Sequence, residues 1–508
     1  MMLMIAMFHS LAIGAEPSPA DKIPSFNMKE LPATEPVDLS LGPQLFIDDY
    51  LVAKMDDLTR TTHAPERYSD NPILGWQQGT TQPYLTVVRD RETGRFRMWY
   101  NRDIGPGGTV AYAESDDGMH WRTPNLGIMG DDNRLFEVSS SFQSGFGSSV
   151  IDKGPDYPDK SKRFKIAWWG QTKPRPDGDP GMRVAFSADG LHWTPYEGNP
   201  VLNDFSDGKL DDPRRPHGAG DIIDVYFDPI RRQYGVLLKT PAMPSDGLST
   251  GAKASSYIRR LVSASSSADF IHWKDPWRVI IPEPRDEGVL EFYSVGGTFA
   301  RGGLLIGFVR MLHDDYPAEP GGPAEGIGYT VLVTSRDGVH WERHSDIFFD
   351  RSPAPNAWDR AMTWVGCALP VEEKLYLYYG GYQRGHKIEP KKERQLGLAI
   401  MPMDRFVSLD ASGDKKGGRL VTTLLKPASE ATRLVLNADA SKGSIRVRML
   451  DEAEGVFPGA DFSEAVTGDG LALAGKGLDL AKADGKPFRL EFQIENARLY
   501  GFDVVSVQ

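Results

Sequence analysis

Cysteine is almost absent: among 508 residues there is one, Cys367. One thiol excludes an intrachain disulfide and any metal site built from thiolates. It lies in the apolar run TWVGCALPV, the setting of a buried structural thiol and not of a nucleophile. Long hydrophobic runs are missing too. Beyond the first fifteen residues nothing approaches the roughly 20 apolar residues of a spanning helix, so no membrane span is expected. Positive charge is in deficit, with 58 Lys and Arg against 70 Asp and Glu and a formal net charge of −12. Phosphate backbones need a basic surface, so a nucleic-acid partner is not expected. Long amphipathic helical periods are scarce from residue 70 to 410, which favours an all-β chain. No cofactor motif occurs, and no residue is assigned to a metal.

Aromatics, by contrast, are plentiful, with 11 Trp, 18 Tyr and 23 Phe. They suit strands and sugar-binding clefts alike. The first residues, MMLMIAMFHSLAIGA, are apolar and end in small side chains before Glu16. Residues 1–15 therefore read as a secretory signal, and the protein is expected to be secreted or periplasmic.

A phrase recurs along the chain. ESDDGMHW ends at Trp121, FSADGLHW at Trp193, SSADFIHW at Trp273 and TSRDGVHW at Trp341, and a degenerate copy places Phe406 at the anchor. The gaps between Trp anchors are 72, 80 and 68 residues, a period that must be explained before any single residue is. Ahead of each anchor lie two β-like runs joined by a short turn, for example DIIDVYFD and QYGVLLKT joined around DPIRR. Each unit reads as strand, hairpin, strand, longer loop, strand, Asp-Gly turn and a Trp-led segment. Repeated radially, four antiparallel strands per unit make propeller blades. The Asp-Gly pair supplies the tight turn, and His120, His192, His272 and His340 are read as part of it and not as ligands.

The fold expected is all-β: a five-bladed β-propeller over 45–410, then a linker at 411–419 and a small β-sandwich at 420–508. Residues 16–44 form a Pro-rich leader. The last ninety residues alternate at period two, as in GSIRVRML and FRLEFQI. That module reads as a stabilising clamp, because no Trp follows Trp364.

Five units, tandem Ser-x-Asp-Gly-x-His-Trp phrases and a terminal β-sandwich together resemble the five-bladed glycoside hydrolases around families 32 and 43. The resemblance implies cleavage of a glycosidic bond by carboxyl groups in the central pocket. The fructan-cleaving members carry an Asp on the first blade, in a phrase like W-x-N-D-P-N-G. Here the matching stretch reads NPILGWQQGTTQPY, with no carboxylate. The turn is also similar to the sialidase Asp-box, which has one more residue between Asp and Gly.

In a propeller the first strand of each blade lines the axis, and its entry end opens on the pocket. Glycosidic cleavage calls for two carboxyls there, one a proton donor and one a base or nucleophile. Asp221 precedes the third such strand and Glu291 opens the fourth, between Leu290 and the aromatics Phe292 and Tyr293. Asp359 precedes the fifth, in NAWDRAMTW with Trp358, Arg360 and Trp364. Asp221, Glu291 and Asp359 are therefore the catalytic candidates, Glu291 being the expected acid because apolar neighbours disfavour its charged form. Substrate contacts are expected from Arg102, Asp103, His217, Lys239, Arg310, Trp358, Arg360, Trp364 and His386, the cations standing at strand ends beside Gly-rich loops. The reading is an exported glycoside hydrolase acting on an oligo- or polysaccharide. The alternative is a non-catalytic propeller that binds glycans or proteins.

Overall fold

The computed structural model describes residues 33, 35–78, 80–102, 109–137, 146–171, 179–204, 219–242, 259–386, 393–411, 417–428 and 433–506. The chain is all-β. The proposed signal at 1–15 lies outside the described residues.

From residue 80 to 402 the strands run through successive antiparallel meanders. The first is Thr80–Arg89, Phe96–Arg102, Thr109–Ser115 and Arg134–Glu137. The second runs Phe146–Asp152, Phe164–Gly170, Gly181–Ser187 and Thr194–Pro195, with Leu202–Asn203 beside its third strand. The third is Ile223–Asp228, Gln233–Pro241, Arg260–Ser267 and Trp277–Ile280. The fourth is Glu291–Arg301, Leu304–His313, Ile327–Ser335 and Glu342–Phe349. The fifth is Met362–Val371, Lys374–Tyr382 and Gln395–Pro402, and its outermost strand is Glu66–Arg67 from the start of the chain. The first strands of consecutive meanders pack on one another, and that of the fifth packs on that of the first.

The repeated phrase is a turn that satisfies itself. In the first copy Ser115 Oγ accepts the Gly118 N–H at 2.9 Å, and Asp117 Oδ1 accepts the N–H groups of Met119 and His120 at 2.8 and 2.9 Å. His120 Nδ1 lies 2.7 Å from Asp117 Oδ2. The same contacts recur around Asp189, Asp269 and Asp337. Gly118, Gly190 and Gly338 have φ of 77°, 76° and 73°, a region open to glycine. The third copy puts Phe270 there at φ 73°, where a side chain is strained. Its ring is fully buried against Phe186 of the preceding meander and Tyr234 of its own. Each turn docks on the meander before it: Trp99 donates to Gly190 O at 2.7 Å, Tyr378 to Gly118 O at 3.0 Å.

Beyond the meanders stands a nine-stranded sheet. Its longest strand, Arg433–Leu450, pairs with Val466–Ala474, Arg489–Glu495 and Arg498–Val505. Here the structure departs from the sequence expectation. Gln44–Leu45, Val52–Asp56 and Thr59–Thr62, all ahead of the meanders, belong to this sheet, as does Val407–Asp410. Period two explains why. In the run Leu45-Phe46-Ile47, Phe46 enters the core of the nine-stranded sheet while Leu45 and Ile47 enter the core of the meanders. One short segment thus joins both layers, and the division at 45 and 410 cuts through a shared structure.

Candidate active site

Topology brings three strand entries together. Asp221 stands two residues before the third meander's first strand, Lys239 near the end of the second strand beside it, and Glu291 opens the fourth meander. Glu291 bridges in parallel to Arg260, the first residue of Arg260–Ser267. The three candidates therefore share one end of two adjacent meanders.

Lys239 is the hub. Its Nζ lies 2.8 Å from Asp221 Oδ1 and 3.6 Å from Glu291 Oε2. Its ammonium also lies 4.2 Å from the centre of the Tyr293 ring. Burial works to discharge this lysine, but the Asp221 carboxylate outweighs it and holds the pKa above the usual lysine value. At Asp221 burial likewise opposes the charge, and the Lys239 ammonium overcomes it, so the carboxyl titrates below its ordinary range. Asp221 keeps 47% of its side chain exposed, whereas Glu291 keeps 11%. Arg260 Nη1 lies 3.9 Å from Glu291 Oε1. Glu291 Oε2 is buried and finds no hydrogen-bond partner among the described residues. Burying an unsatisfied polar atom costs about 1–3 kcal/mol.

An aromatic wall backs the group. Tyr84 donates to the Tyr293 hydroxyl at 3.1 Å, and the Tyr293 ring stacks on Trp364 at 4.5 Å. His386 meets both Tyr293 and Trp364 at 5.5 Å between ring centres. Tyr84 and Tyr293 were not among the residues chosen from the sequence, nor was Arg260. A signal existed for the tyrosines: each is third in its run, QPYLTVV and EFYSVGG, at the same place in the unit.

Several sequence candidates stand elsewhere. Asp359 is 2% exposed and turned to the chain's early closing strand: it accepts from Arg67 Nε at 2.7 Å and from the Tyr379 hydroxyl at 3.1 Å. It is a tie for that strand and does not join Asp221 and Glu291. Trp358 stacks on Tyr379 at 5.4 Å. Arg360 is taken up by Glu319, at 3.0 and 3.2 Å, and by Ser352 O at 2.9 Å. Arg310 is fully buried and pins three meanders, donating to Asp224 Oδ1 at 2.9 Å and to Val365 O at 2.9 Å from the fourth. Burial raises the Asp224 pKa against the pull of Arg310. Trp364 has no exposed surface and donates to Met311 O at 2.9 Å, so it supports Tyr293 and offers no open sugar platform. Arg102 donates to Asn133 Oδ1 at 2.9 Å and reaches Asp132 at 3.3 Å within its own meander. Asp103 and His217 lie outside the described residues. Among the described residues no group of three or more His, Cys, Asp or Glu could hold a metal ion, and no helix is long and apolar enough to cross a membrane.

No protein-family model matches the chain, and no curated protein does. Its structure is similar to those of glycoside hydrolases. One solved structure described as a glycoside hydrolase is 15% identical, covers 67% of this chain and 93% of its own, and has a TM-score of 0.44. A Bombyx mori GH32 beta-fructofuranosidase is 11% identical over 88% of this chain and 94% of its own, with a TM-score of 0.41. An N-acetylgalactosamine deacetylase from F. plautii, in complex with blood group B trisaccharide, is 14% identical over 69% and 97%, with a TM-score of 0.39.

Proposed function

We propose that the chain is an exported glycoside hydrolase whose five meanders are the blades of one propeller, with the C-terminal strands as a stabilising β-sandwich. Asp221 and Glu291 are the carboxyl pair and Lys239 positions them. The observation that carries this reading is Glu291 Oε2, a buried carboxyl oxygen without a hydrogen-bond partner among the described residues, beside a half-exposed, ionised Asp221. Both carboxyl groups reach one ammonium, at 2.8 and 3.6 Å, so those two oxygens are closer together than the sum of these distances. That proximity favours a retaining pair, whose carboxyl groups stand roughly 5–5.5 Å apart, over an inverting one. The course proposed is retention. Asp221 attacks the anomeric carbon while Glu291 gives its proton to the departing oxygen. Water, deprotonated by Glu291, then releases the sugar from Asp221 and restores both groups.

The apolar stretch at 1–15 supports export. One observation favours the rival, a non-catalytic glycan-binding propeller: Lys239 already neutralises Asp221. The two readings part in one experiment. The mature protein is incubated with a panel of plant, algal and microbial polysaccharides, reducing ends are counted, and the first-formed anomer is followed by proton NMR. Release with retained configuration is expected. Binding without release supports the rival, and release with inversion removes the assignment of Asp221 as nucleophile.

A further inference from the structure

A cavity of about 420 Å³ opens at the seam between the fifth and first meanders. It is walled by Gly75, Gln77, Gln78 and Gln395, together with Trp121 and Thr123. None of its described lining residues is charged. Three amides converge on one point: a Cβ added to Gly75 would stand 2.7 Å from Gln77 Oε1, 3.3 Å from Gln395 Oε1 and 3.5 Å from Gln78 Oε1. The absent side chain at residue 75 is what leaves this cradle open. Gln78 Oε1 accepts the Gly75 N–H at 3.1 Å, which fixes one wall. The Trp121 N–H is spent on Gly118 O at 3.2 Å, which leaves the half-buried indole as a ring surface. Trp76, on the adjoining turn, is 46% exposed.

We propose that this seam cavity is a glycan subsite, separate from the central carboxyl pair, for a neutral, hydroxyl-rich sugar; the inference rests on the carbohydrate reading above. Converging amide oxygens repel phosphates and carboxylates and accept from hydroxyls, while each amide NH2 can donate in return. A few convergent polar groups beside an aromatic face make a small-molecule site. Three neutral oxygens with no carboxylate make a poor home for a divalent cation, which favours charged oxygen ligands. A protein with a catalytic centre and a further sugar subsite acts on polymers or on surface-bound glycan, so the substrate class is a neutral polysaccharide.

The test is isothermal titration of the full-length Glu291→Gln protein, which prevents turnover, with xylohexaose, laminarihexaose, mannohexaose and, as an acidic control, hexagalacturonate. At least one neutral hexasaccharide should bind. Adding Gly75→Ala, which fills the cradle, or Gln77→Leu, which alters an exposed side chain, should weaken that binding about tenfold each. Gly75 is not among the positive-φ glycines, so alanine can take its backbone. Binding of no neutral hexasaccharide, binding of hexagalacturonate alone, or affinity unchanged by both substitutions overturns the proposal. Adding Lys239→Met instead separates the two sites. Binding lost with Lys239→Met but untouched by the seam changes removes the subsite and leaves the central reading intact. Seam-dependent binding by a parent that releases no reducing sugar removes the hydrolase and leaves the subsite.

Discussion

The repeated turns at the rim and the charged group at the centre use the same residue types to opposite ends. At the rim Asp189 bonds the N–H groups of Leu191 and His192, and its other oxygen meets His192, all within three residues. Burial alone would raise this carboxyl, but the bonds from His192 and the backbone hold it down at about 2. The Asp side chain is met within the turn, and the imidazoles are exposed and engaged. At the centre Asp221, Lys239 and Glu291 come from two meanders, and one carboxyl oxygen has no hydrogen-bond partner among the described residues. A motif whose Asp and His are spent on its own turn is structural. A cluster that is charged, partly buried and incompletely satisfied has capacity to act on something else.

The largest effect that sharpens this contrast is expected at the rim's anchor. Trp99 is 1% exposed and holds Gly190 of the next turn. Trp99→Ala should cost about 3–5 kcal/mol in chemical denaturation. An unchanged midpoint would mean that the seams do not rely on these docked turns.

At the centre, Asp221→Asn and Glu291→Gln should each lower turnover at least about a hundredfold, with melting temperature nearly unchanged. Near-full activity in either variant makes that residue structural and erases the contrast.

Phe270 is an intermediate case, because two effects oppose each other. Replacing it by glycine relieves about 1–2 kcal/mol of left-handed strain, but it removes a buried ring worth about 3–5 kcal/mol. Phe270→Gly should therefore destabilise by about 2 kcal/mol. A stabilised variant would show that strain, and not packing, dominates at that turn.

The smallest effect belongs to a single turn. Asp189→Ala removes two backbone bonds and should cost about 1 kcal/mol, as for helix caps. The Asp189 pKa is depressed in the folded state. Its contribution is therefore full above the ordinary carboxylate range and is lost as pH falls through about 2. Thermal melts of parent and variant should converge on acidification. A gap that persists below that range would assign the loss to packing.

Much of this was legible in the residues alone. The phrase at Trp121, Trp193, Trp273 and Trp341 marks the turns because each turn's bonds span at most three residues, and short-range bonding leaves a short-range pattern. The strand runs between them were legible for the same reason, since alternation reports one face at a time. Asp221 and Glu291 were legible as strand-entry carboxylates. Lys239 as their shared counter-ion was not, because the two carboxyls stand 18 and 52 positions from it and 70 from one another, and Glu291 reaches it only through the docking of two meanders. Arg310 looked like a free strand-end cation for the same reason: its partner, Asp224, lies far away in the chain.

The sequence by itself determined the all-β class, the repeating unit and the turn chemistry, since propensity, period and local hydrogen bonding all act over a few residues. Only the tertiary structure decided that Glu66–Arg67 closes the fifth meander, that Phe46 and its neighbours join two cores, and that Asp359 serves the closing strand while Asp221 and Glu291 share a lysine. Those outcomes depend on which distant surfaces become neighbours. The physical reason is that a charge or an orphaned oxygen has a meaning only once its surroundings are known, and those surroundings are assembled from the whole chain.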